Sequence, residues 1–206
     1  MHGKTMKIKP FFILLLILFI PTLIYAKNPG RYELIVPFQA PPVRSMDQVV
    51  IHEVFAFDCG HCFNFHSKVK PRLVKKFGDK IKIIPQPIGW RGPNPGRLYY
   101  IAEKFGKGEQ VILSTFDMIF NKGLGAGVFK KDILQFVAKY NGLEKEFKTM
   151  MESPEIVKKM NQSIQYADSK NINSTPTLVI GEGMVPEREY NNLVTIINSL
   201  LKHPVK

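Results

Sequence analysis

Cysteine is scarce in this sequence: two stand among 206 residues, Cys59 and Cys62. That scarcity excludes several readings. Covalent haem attachment requires C-x-x-C followed at once by histidine, and Phe63 occupies that place. A structural zinc site could draw on Cys59, Cys62 and His66, the last two one turn apart on a helix, but no second cysteine pair supplies a fourth ligand. Zinc is therefore the weaker reading. A purely structural bridge between residues so close would close a tiny loop and remove little entropy from the unfolded chain. No internal repeat or low-complexity segment stands out. Acidic residues are few, 17 against 29 Lys and Arg, for a formal net charge of +12. Yet the basic residues Lys68, Lys70, Arg72, Lys75, Lys76, Lys80 and Lys82 recur along helix and strand edges without a nucleic-acid-binding motif. They read as solvated faces, and no nucleic-acid partner is expected.

A long apolar run is also missing. Basic residues up to Lys9 precede a short apolar stretch at residues 11–20, then Pro21 and a weakly polar approach to Ala26 and Lys27. This is the layout of an export signal with Ala26 last before the cut, although Ile24 is a less ideal residue two positions earlier. Counting on through Leu23, Ile24 and Tyr25 brings the run near the lower limit of a membrane span, so a retained anchor stays open. Residues 1–26 are thus expected to be a signal peptide or N-terminal anchor, and the chain's membrane contact only if uncleaved. The rest should face an oxidising compartment, where a cysteine pair can work on other proteins' disulfides.

What the sequence does hold is concentrated at residues 49–66, VVIHEVFAFDCGHCFNFH. Val49, Val50, Ile51, Val54 and Phe55 make an apolar, β-branched run suited to a strand buried on both faces. It leads through Asp58 into Cys59-Gly60-His61-Cys62. A strand running into C-x-x-C at the start of a helix is a redox arrangement, because the helix N-terminus favours the Cys59 thiolate.

Around this centre the chain is long enough for one domain with a substantial core, carrying an insertion. Residues 32–38 alternate as a first strand, held at a sheet edge by Pro37, Pro41 and Pro42. The helix after Cys62 shows Phe63, Val69, Val74 and Phe77 as its apolar positions, and Pro71 predicts a kink before the helix ends at Gly78 and Asp79. Residues 81–84 make the next strand, closed by Pro85 and Pro87, so that strand, helix and strand form a right-handed parallel unit. Residues 95–166 are helical in period: Leu98, Ile101 and Phe105 form one face, Val111, Ile112, Phe116, Ile119 and Phe120 a second, and Ile133, Phe136, Val137 and Tyr140 a third. Ser153-Pro154-Glu155 opens a helix with Val157, Met160 and Ile164 inward. Residues 177–180, a turn at 181–183 and a short return strand form a hairpin, and a last helix spans residues 188–201. The resulting division is 27–94, a helical insertion at 95–153, and 154–206.

In this order and pattern, over residues 31–202, the chain resembles the DsbA-like thiol:disulfide oxidoreductases. The resemblance rests on Phe57-Asp58-Cys59-Gly60-His61-Cys62 after a strand and on Thr175-Pro176 before the hairpin. It implies an α/β thioredoxin fold with an inserted helical domain, in the periplasm, with an anchor in the inner membrane as the alternative to a cleaved signal, acting without cofactor or metal. By the same resemblance Thr175-Pro176 should be a cis-proline loop beside the cysteines, Glu53 a buried acid under the disulfide, and Lys82 its basic partner. An acid buried there must pair or be protonated. Cys59 should be the nucleophile, helped by His61, and Cys62 the resolving thiol. The implied partners are reduced or unfolded substrate proteins and a DsbB-like membrane quinone reductase. Gly60-His61 and the threonine before the proline are instead similar to disulfide isomerases, and Asp58 places a charge that opposes the thiolate. An isomerase, a reductase (including one for cytochrome c maturation) and a non-catalytic thioredoxin-fold binding module are the alternatives to an oxidase.

Overall fold

A computed structural model describes residues 28–205; the expected signal or anchor at residues 1–26 lies outside them. Strand β1 is Tyr32–Leu34, and β2, Val49–Phe55, is the strand around which the rest is built. Its alternation sends Val49, Ile51, Glu53 and Phe55 to one side of the sheet, all fully buried. His52 and Val54 go to the other side, where His52 stacks on Tyr166 at 4.8 Å. Both faces are covered, as the apolar run requires.

From β2 the chain turns into α1, Gly60–Asn64, a π-helical turn, Phe65–Val69, and α2, Lys70–Phe77. The expected break at Pro71 takes the form of this wider turn: proline has no N–H for Ser67, and the Lys70 N–H bonds instead to the Phe65 carbonyl. The wider turn resets the buried face. Phe65, Leu73 and Phe77 point into the core, whereas Val74 is exposed, contrary to the helical pattern read with unbroken period. Strand β3, Ile81–Pro87, pairs in parallel with β2, as the strand-helix-strand reading predicts. It runs through both prolines rather than stopping before them, because β3 is the outer strand and its outward N–H groups have no ladder to serve.

Between β3 and the hairpin lie α3, Asn94–Lys104; α4, Gly108–Phe120; α5, Lys131–Tyr140; α6, Glu144–Met150; and α7, Pro154–Ser169. Their shared core contains Leu98, Ile101, Val111, Ile112, Phe116, Leu134, Val137 and Phe147. Four expected inward residues, Phe105, Phe120, Phe136 and Tyr140, are exposed instead; in α5 the reason is that Leu134, Val137 and Ala138 form the narrower stripe it buries. In α7 the buried stripe is Ile156, Met160, Ser163 and Ala167, one step from the expected Val157 and Ile164. This helix lies along the sheet, its Ser163 hydroxyl donating to the Pro87 carbonyl at 2.8 Å. Gly96 permits the crossing of α3 and α7: a Cβ there would run into the Met160 sulfur.

Strands β4, Thr177–Ile180, and β5, Met184–Pro186, form the hairpin, with Gly181 at φ +61 in its turn. Sheet order is β1-β5-β4-β2-β3, with only β2 and β3 parallel. The first strand stops at Leu34, shorter than the seven residues expected, because the chain turns at Val36 and Pro37. Helix α8, Tyr190–Leu200, packs Leu193, Ile196, Ile197 and Leu200 onto the sheet beside α2.

Candidate active site

The two cysteines sit where β2 gives way to α1, and they form a disulfide with Cα atoms 5.2 Å apart. Cys59 is the N-cap: its backbone is extended (φ −92, ψ 109), and the Cys62 N–H donates to its sulfur at 3.1 Å. That hydrogen bond and the helix N-terminus both favour negative charge on the Cys59 sulfur. Cys62 is fully buried, whereas Cys59 keeps partial access to solvent. His61 is exposed beside them and lines a cleft with Asn64, Phe65, Val69 and Arg188.

The Thr175–Pro176 peptide bond is cis, and the Thr175 carbonyl oxygen lies 3.4 Å from the Cys59 sulfur. Arg188 donates to the Pro176 carbonyl at 3.1 Å and ties this loop to the segment after β5. Of the residues singled out in the sequence, Cys59, Cys62, Thr175 and Pro176 are thus brought together, with His61 at the rim. Asp58, expected to oppose a thiolate, is met by Arg91, Oδ2 to Nε 2.8 Å.

Glu53 is fully buried, as expected of an acid on this strand, but its partner is not Lys82. In the parallel ladder Lys82 stands opposite Val50 and Glu53 opposite Pro85. The offset of three is odd, so the two side chains leave opposite faces of the sheet, and Lys82 is exposed. The partner is His66, whose Nε2 lies 2.8 Å from Glu53 Oε1. His66 Nδ1 lies 3.5 Å from Glu109 Oε1, and Glu109 also pairs with Lys70. The angles are those of ion-pair contacts: both Glu53 oxygens and both ring nitrogens lack an aligned hydrogen bond. Burial alone would push the His66 imidazole down, but the Glu53 carboxylate and the contacts to Glu109 and Glu53 outweigh it and hold His66 above its ordinary value. Burial likewise works against the Glu109 carboxylate, yet His66 and Lys70 together lower its pKa to about 2. Neither Glu109 nor Arg91 was legible as a site residue. For His66, four residues after Cys62 on one helix face, the signal was present in the spacing.

Among the described residues no group of His, Cys, Asp and Glu is placed to hold a metal ion, and no helix is long and apolar enough to cross a membrane.

The profile of the family described as Thioredoxin matches residues 46–199. A curated relative, the thiol:disulfide interchange protein DsbA of Pseudomonas syringae pv. tomato, is 24% identical over 143 residues. That match covers 68% of this chain and 66% of the relative, just under two thirds of its length. Among solved structures, the oxidoreductase DsbA from Xylella fastidiosa superposes with a TM-score of 0.67 at 22% identity, over 84% of this chain and 96% of that one. A DsbA from Proteus mirabilis, in complex with a non-covalently bound peptide, gives 0.63 at 17% identity, over 78% and 84%.

Proposed function

The chain belongs to the thioredoxin family and has the fold of the DsbA oxidoreductases, and from that premise we propose that it is an exported oxidase donating its Cys59–Cys62 disulfide to reduced proteins. The observation that carries this is the partly accessible Cys59, its sulfur held between the Cys62 N–H and the Thr175 carbonyl, with Cys62 buried behind it.

A substrate thiolate attacks the Cys59 sulfur; the substrate–Cys59 bond forms, the Cys59–Cys62 bond breaks, and Cys62 leaves with the electron pair and takes up a proton. A second substrate thiolate attacks the substrate sulfur of the mixed disulfide and releases Cys59 as a thiolate, stabilised by the helix N-terminus and by His61. Two substrate thiols have then become one disulfide, and the protein is the dithiol. Thr175 and Pro176 offer backbone groups to an extended peptide beside Cys59. The peptide-bound DsbA of the same fold supports a peptide as the partner. Glu53 handles the proton of the buried thiol. Re-oxidation requires an acceptor such as a DsbB-like quinone reductase in the membrane, and the export layout of the first 26 residues supports a periplasmic location.

An isomerase is the second reading, supported by Gly60-His61 and by Thr175. The two are separated by mixing oxidised protein with a reduced dithiol peptide in the absence of glutathione. An oxidase forms one peptide disulfide per protein disulfide lost. An isomerase yields little net peptide disulfide but rearranges a scrambled one. Cys59→Ser should abolish both, and activity retained in that variant would remove the exchange reading altogether.

A further inference from the structure

Cys62 is fully buried, yet the exchange reaction requires its sulfur to gain a proton whenever the disulfide opens. We propose that a side-chain relay, Glu53–His66–Glu109, carries this proton between solvent and the buried side of the cysteine pair. The inference rests on the exchange reading above.

Four observations carry it. Cys62 and His66 are four residues apart on one helical segment and both are fully buried, so the imidazole lies one turn beneath the thiol. The two ring nitrogens face different carboxylates, Nε2 facing Glu53 at 2.8 Å and Nδ1 facing Glu109 at 3.5 Å. An imidazole so placed can take a proton at one nitrogen and give one up at the other without turning over. The inner carboxylate is fully buried, while the outer one is about half exposed. Finally, Glu109 opens on a groove of about 780 Å³ between α2, β3 and α4, lined by Lys70, Pro71, Ile83, Pro85 and Leu113, which gives the outer end its water.

The wall around His66 makes the path single. Phe55, Phe65 and Phe116 surround the ring at centroid distances of 5.3–6.0 Å. The charged groups facing it are Glu53 from β2, Glu109 from α4 and Lys70 from α2, with Tyr99 and Glu103 of α3 further out along the groove. Two carboxylates, the imidazolium and the Lys70 ammonium sum to zero charge. The imidazolium is the loaded state, its Nδ1 proton having entered at Glu109: the Nε2 proton passes to Glu53, Glu53 gives it to the Cys62 thiolate, the ring is left neutral with its proton on Nδ1, and re-oxidation runs the steps in reverse, from Cys62 through Glu53 to Nε2 and from Nδ1 out to Glu109.

The test is single-turnover reduction of the oxidised full-length protein by dithiothreitol, quenched in acid and read as disulfide or dithiol by mass. It is run from pH 5.5 to 8.5 in water and in deuterium oxide, with rates divided by dithiothreitol thiolate concentration. In the wild type this normalised rate should fall as pH rises and His66 loses its proton, and should slow in deuterium oxide. His66→Gln should lower the rate on the order of 100-fold near pH 6 and flatten the profile. Glu109→Gln, at a half-exposed position where folding is safe, should slow it by roughly tenfold, with Glu109→Asp restoring part of the loss. If Glu109→Gln keeps both the wild-type rate and its pH profile, the relay is wrong, even if His66→Gln cannot be folded. If the wild type itself is not reduced, the exchange reading fails instead.

Discussion

The Asp58 carboxylate and the Arg91 guanidinium meet at 2.8 Å immediately before the first cysteine. The loop after β3 therefore partly neutralises the charge that stands against a Cys59 thiolate. Because Arg91 is two thirds exposed, the pair is a weak one, on the order of 0.5–1 kcal/mol. Arg91→Ala should make the protein more reducing by roughly 10–20 mV, Asp58→Ala should make it more oxidising, and Arg91→Ala should have no effect once Asp58 is gone. Potentials of the four proteins against glutathione check this.

In the reduced protein Cys59 should alkylate first and at acidic pH, with Cys62 protected. The cause is the N-cap position and partial access of Cys59 against the complete burial of Cys62. Trapping with iodoacetamide and mapping by mass spectrometry reads the order directly; faster labelling of Cys62 would reverse the roles.

The pocket beneath the cysteines sets a pH window. The folded pKa of His66 is raised above 6.5, so its contribution to stability is full below pH 6.5 and is lost as pH rises through the folded value. That of Glu109 is lowered from 4.5 to about 2, so its contribution is present above pH 4.5 and is lost as pH falls toward 2. Urea midpoints from pH 3 to 9 should therefore be highest between about 4.5 and 6.5. The decline on the alkaline side should vanish in His66→Gln.

Removing only one partner of the Glu53–His66 pair should be worse than removing both. His66→Leu leaves a buried carboxylate without its partner and should destabilise by about 3–5 kcal/mol at pH 7, whereas Glu53→Leu with His66→Leu should recover most of that loss. Urea unfolding of the two variants decides; equal losses would mean the pair is not coupled.

How far the sequence was legible follows from what each residue depends on. The β2 strand, the parallel partner, the helical stretch and the hairpin depend on local period and turn residues, and they stand where those signals put them. The strand through Pro85 and Pro87 was not legible, because a proline is tolerated there only when its strand is outermost, which is a property of the sheet. The buried stripes of α2 and α5 were misread by a step or more, since the π-helical turn before Pro71 and the neighbours of α5 set which side faces inward. At the site, Cys59, Cys62, Thr175 and Pro176 lie together as the motif implied. Lys82 fails as the partner of Glu53 on strand parity alone, and Arg91 and Glu109 lie 33 and 43 positions beyond their partners Asp58 and His66 in sequence, brought near by the fold.

The oxidase reading is tested most directly by the equilibrium reduction potential of the Cys59–Cys62 pair against glutathione. Reference values run from about −270 mV for reducing thioredoxin through about −180 mV for disulfide isomerase to about −120 mV for the strongly oxidising DsbA. Helix N-terminus, Cys62 N–H and His61 favour the Cys59 thiolate, and Arg91 offsets Asp58, so the value should fall between about −180 and −120 mV. A value at or below about −270 mV would make the protein a reductase and contradict the account.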